Sequence, residues 1–143
     1  MLIPTCIIKL FELMLAIACL TLHHYSFDLT DIPTLMLCSG TYVGYIIVLS
    51  GEIVGEAISA AADPYIDAWW SAAGAVLYGA CGGLTLQWWR DVPYCLRRSQ
   101  AHATAVCALA LAALLLLDSL LALCSSHGDQ DSVHSKSTKR CSP

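Results

Sequence analysis

Asparagine is absent from this sequence, so no N-glycosylation acceptor exists whatever way the chain faces. Charge is nearly as scarce. Only 13% of the 143 residues are Asp, Glu, Lys or Arg, while 57% are hydrophobic, and an ordinary soluble domain carries roughly 25% charged residues. A chain with so little polar surface cannot cover a core in water. The net charge of −4 is spread over loops and tail without forming a basic patch, which argues against nucleic acid as a partner. Spacings that build a metal or catalytic centre are missing too: there is no CxxC, HxxxH, GxSxG or HExxH. The expectation is no enzyme, no catalytic residue, no cofactor and no metal.

What the sequence does contain is long apolar runs. A hydrocarbon core of about 30 Å takes roughly 20 apolar residues in helix, and four runs qualify, at about residues 4–22, 35–61, 68–89 and 101–124. Each is bounded by polar residues or proline. The first has no basic stretch before it and carries Lys9 and Glu12 inside it, so it reads as a retained helix and not as a signal peptide. The third is bracketed by Trp69 and Trp70 at one end and Trp88 and Trp89 at the other. That is about 28 Å at helical rise, the spacing of two interfacial aromatic belts. Short connections make sequential helices antiparallel neighbours. The predicted fold is therefore all-α: an integral membrane up-down four-helix bundle over 1–124, followed by a disordered polar tail over 125–143.

Cys6, Cys19, Cys38, Cys81, Cys107 and Cys124 lie in or at the edges of apolar runs, where cysteine behaves as a small apolar residue. A disulfide framework is not expected. Cys6, Cys124 and Cys141 are palmitoylation candidates or free thiols near the terminal-side surface. Basic residues are almost evenly divided between the two sides, Lys136, Lys139 and Arg140 against Arg90, Arg97 and Arg98, so charge leaves the orientation open.

Association of helices in lipid depends on small residues that let backbones approach. Gly40, Gly44, Gly51 and Gly55 fall within about 60° of arc on the second helix. Ser71, Ala75, Gly79 and Gly83 repeat the device on the third. The stripe reads either as a self-association face or as internal packing of these two helices, and the short loop between them favours the second.

Five ionisable residues fall inside the runs: Lys9, Glu12, Glu52, Glu56 and Asp118. Threading the chain up and down puts all five in one leaflet, on the side of both termini. A charge inside the bilayer costs several kcal/mol unless paired or hydrated. One lysine among four carboxylates suits a structural polar cluster, with Lys9 bridging Glu12 and a carboxylate of the second helix, and Asp118 protonated or bonded to a hydroxyl such as Ser119 or Ser59. A proton or cation site is the alternative. His102 reads as an interfacial cap, and His23 and His24 mark the exit of the first helix.

Several short motifs bear a likeness to a known family: IKLFEL at Ile8–Leu13, SGTYVGYIIV at Ser39–Val48, the Tyr65–Trp70 and Gly82–Trp88 stretches of the third helix, and LLLLDSLLAL at Leu114–Leu123. Over nearly the whole membrane region the chain resembles the insect four-transmembrane, MARVEL-like and snakeskin-like membrane proteins. The resemblance implies cytoplasmic termini, a plasma-membrane location, and a role in membrane or cell-junction organisation. Expected partners are membrane lipids and other membrane proteins or the chain itself. The alternative function is a small proton- or cation-handling transporter or channel subunit using Glu52, Glu56 and Asp118.

Overall fold

The computed structural model describes residues 2–26, 31–58, 60 and 63–140. Ser59 and Cys141 lie outside the described residues. Among the described residues there are four helices, α1 Leu2–Ser26, α2 Ile32–Ala57, α3 Pro64–Trp89 and α4 Leu96–Arg140, and no strand. The expected all-α four-helix architecture is the one observed.

Local chemistry sets the boundaries. Asp31 precedes α2, whose first turn contains Pro33, a position where the missing N–H costs nothing. Asp63 caps α3, its carboxylate accepting from the Tyr65 amide at 3.0 Å, with Pro64 next. This cap starts α3 four residues earlier than the apolar run does and draws Asp67 into the helix. At the other end of α3, Arg98 donates to the Val92 carbonyl at 2.6 Å and lies over the Tyr94 ring at 4.4 Å. His102 sits one turn further on, 3.4 Å from Arg98 Nε, so α4 begins at Leu96 and not at Ala101.

The inward faces repeat at steps of three and four. On α1 they are Lys9, Glu12, Ala16, Cys19, His23 and Ser26; on α4 they include Ala101, Thr104, Ala108, Leu111, Leu115 and Asp118. That heptad-like step keeps a seam facing its neighbours along the whole helix. α3 packs most extensively on α4, α1 packs on both α4 and α2, and α2 touches α3 less than it touches α1. In the core Tyr42 stacks on Tyr78 at 5.5 Å, and Tyr45 meets Tyr78 edge-on at 5.6 Å while donating to the Trp70 carbonyl at 3.0 Å. At the far end His23 pairs with Ser39 Oγ at 3.2 Å, tying the exit of α1 to the entry of α2.

Large apolar side chains cover the outside. Phe11, Met14, Met36, Ile47, Val54, Val76, Leu116 and Leu117 are all exposed, which is intolerable in water and ordinary against lipid. Three helices, α1, α2 and α4, are long and apolar enough to cross a membrane, and the protein is read as an integral membrane protein. α3 is as long as α2, at 26 residues, but its glycines, Ser71, Thr85, Gln87 and aromatic ends lower its average apolarity.

Two expectations are corrected. The tail over 125–143 is expected to be disordered, but α4 runs without a break to Arg140. No proline interrupts it, so a helix already nucleated in the bundle propagates outward one hydrogen bond per residue.

The second correction concerns the glycines. A Cβ added at Gly40, Gly44, Gly51, Gly79 or Gly83 would meet nothing within 4 Å, and at Gly55 it would meet only the Ala60 carbonyl, at 3.3 Å. The α2 stripe is therefore not a packing face against α3, because α2 leans on α1 instead. Ser71 and Ala75 are buried as expected, but the close approaches occur at Gly74 and Gly82. A Cβ at Gly74 would lie 2.5 Å from the Tyr45 ring, and one at Gly82 would lie 2.9 Å from Leu109 and 3.2 Å from the Ala105 carbonyl. Trp89 also departs from its belt role, being buried at 1% exposure, whereas Trp69, Trp70 and Trp88 are exposed.

Candidate functional site

The polar centre is built on Lys9. The third turn of α1 points this side chain inward, leaving 3% of it exposed. An ammonium has three N–H donors, and three carboxylates from three other helices surround it. Asp118 Oδ2 of α4 is 2.6 Å from Nζ, Glu52 Oε2 of α2 is 2.9 Å away and Asp67 Oδ1 of α3 is 3.1 Å away. One residue of α1 thus binds the bundle together at a single point. Ser71 reinforces it by donating to Asp118 Oδ2 at 3.0 Å, while its oxygen lies 3.5 Å from Nζ. Ser119 donates to the Ala68 carbonyl at 3.0 Å and so holds α4 against α3 beside the cluster.

Glu12 is the surplus member. Its carboxyl is fully buried, 3.8 Å from Lys9 Nζ, and neither oxygen has a hydrogen-bond partner among the described residues. Glu56 stands further out. It lies on the wall of a cavity of about 370 Å³ that opens between α2 and α3 onto Lys9, Glu52 and Asp67. Its Oε2 is buried with no hydrogen-bond partner.

Lys9, Glu12, Glu52 and Asp118, picked from the sequence, do come together. Glu56 borders the cluster without an ion pair to Lys9 among the described residues. Asp118 pairs with Lys9, and its hydroxyl partner is Ser71 and not Ser119. Asp67 and the hydrogen-bonding role of Ser71 are not found from the sequence, because Asp67 falls in what reads as a loop. The Asp63-Pro64 cap, read as a helix start, is the signal that places Asp67 one turn inside α3 and on the inward side.

Chemically the cluster can lock four helices, and with its surplus of carboxylates it can accept a proton or a cation. Beyond it toward the far end the core is filled by Leu49, Leu115, Tyr45, Tyr78 and Leu111. No group of three or more His, Cys, Asp or Glu among the described residues has the geometry to hold a metal ion. All seven described cysteines are free. No family model, curated protein or solved structure matches this chain.

Proposed function

We propose that this chain is a non-enzymatic four-pass membrane protein, with α3 as its fourth span, that organises membrane or cell-junction assemblies. The observation that carries this reading is the Lys9 centre. It ties each of the other three helices to α1 with a short ion pair, and it lies at one end of a core packed mainly with apolar and aromatic side chains. Such a bundle is built to hold its shape and present its surfaces. The motif resemblance to MARVEL-like and snakeskin-like proteins points the same way, to the plasma membrane with both termini in the cytoplasm.

The test is the position of a C-terminally tagged protein in polarised epithelium. Concentration at lateral cell contacts is the expected result; retention in an intracellular organelle contradicts it. A second reading, proton or cation handling, is favoured by one observation, the cavity that brings Glu56 and Asp67 into reach from outside. Flux assays in proteoliposomes separate the two. The scaffold reading expects proton and cation leak at the level of empty vesicles, and a flux abolished by Glu52→Gln would contradict it.

A further inference from the structure

We propose that the cavity beside Lys9, together with a groove running from it along α2, binds a membrane amphiphile that carries an amine headgroup on a single alkyl chain.

The headgroup end is defined by charge. Four carboxyls, those of Glu12, Glu52, Asp67 and Asp118, lie 2.6–3.8 Å from one amine, and a fifth, that of Glu56, lies on the cavity wall beyond them. Glu12 is 0% exposed with both oxygens lacking a donor, and the buried Oε2 of Glu56 on the cavity wall lacks one too. Buried carboxylates without donors are costly, and a second ammonium entering the cavity would supply the N–H groups that Glu52 Oε2 and Glu56 Oε2 on its wall lack, in charge-assisted bonds. A phosphate or carboxylate headgroup would meet three carboxylates against one lysine on the cavity wall, a net repulsion. Glu52 and Asp67 are 19% and 23% exposed, so both remain reachable from the cavity.

The chain end is defined by shape. A second hollow of about 360 Å³ follows α2 past Gly44, Gly40 and Met36, and it shares Val48 and Trp70 as walls with the acidic cavity. No Cβ narrows it at Gly40 or Gly44, where added atoms would meet nothing within 4 Å. From Glu52 to Gly40 the groove is about 18 Å at helical rise, comparable to the ~15 Å half-thickness of a hydrocarbon core. Trp70 stands where the two meet, its indole available as a cation–π wall. An acidic pocket opening into a smooth apolar groove suits an amine with a chain better than a bare cation or a two-chain lipid.

The experiment measures thermal unfolding of the purified full chain in detergent against rising concentrations of hexadecylamine, hexadecanol, ethanolamine and calcium. Hexadecylamine is expected to raise the unfolding temperature saturably, with an apparent affinity about tenfold or more above that of hexadecanol, while ethanolamine and calcium have little effect. Glu56→Gln should weaken hexadecylamine by about tenfold, the loss of one charge-assisted partner. Gly44→Leu, which fills the groove where there is room for it, should remove the advantage of the long chain. Equal stabilisation by hexadecanol and hexadecylamine, or an unchanged response in Glu56→Gln, would overturn the headgroup assignment. Ethanolamine or calcium acting as strongly as hexadecylamine would overturn the amphiphile in favour of a bare cation.

Discussion

Lys9 is the residue on which the bundle depends most. Removing one partner of a buried ion pair typically costs 3–5 kcal/mol, because the other partner is left charged and uncompensated. Here three carboxylates lose their cation at once, so Lys9→Leu is expected to lower stability in detergent by at least that amount, measured as the shift in a reversible unfolding titration. Ser71→Ala should cost less, about 1 kcal/mol, since it removes one hydrogen bond to Asp118 and leaves the ion pair. Asp67→Asn should destabilise more than Glu56→Gln, because Asp67 bonds Lys9 directly and Glu56 does not. Equal effects from those two variants would mean that the cluster is a diffuse acidic patch and not a centre built on one lysine.

At the scale of the helix, the glycines separate two kinds of surface. Gly44 and Gly51 border open space, so Gly44→Ala and Gly51→Ala should be neutral or stabilising by up to about 1 kcal/mol, as glycine weakens a helix interior. Gly82→Ala should cost about 1–3 kcal/mol, because the new methyl meets Leu109 and the Ala105 backbone across the α3–α4 interface. Detergent unfolding curves for the four alanine variants, Gly74→Ala included, check this ordering.

The same contrast shows why only part of the packing was legible in the sequence. A stripe of glycines at i, i+4 reveals a smooth face, but the pattern carries no information about which neighbour, if any, lies against it. Gly74 and Gly82 carry no such signal, because each pairs with a Tyr or Leu on another helix and not with a second glycine on its own. The helices themselves were plain from apolar length. Their ends moved where a cap or a loop clamp, Asp63 or Arg98, reached beyond the apolar run, and α4 outran its apolar run altogether.

For the whole molecule, up-and-down threading alone puts Lys9, Glu12, Glu52, Glu56 and Asp118 at one end of the bundle, since the depth of each residue follows from its place in its run. Asp67 needed the helix cap as well. A meeting of these side chains constrains topology strongly: Lys9 near the start of α1, Glu52 near the end of α2 and Asp67 at the start of α3 must share one leaflet. Asp118 can then join them from α4 only if the Arg90–Cys95 connection lies at the opposite surface. The central claim is therefore best tested by epitope accessibility in intact and permeabilised cells, with tags at the N-terminus, within residues 91–95 and at the C-terminus. The account predicts that the two terminal tags behave alike and the loop tag oppositely. A loop tag on the side of the N-terminal tag, with the C-terminal tag opposite, would mean that α3 does not cross, and the Lys9 centre could not form.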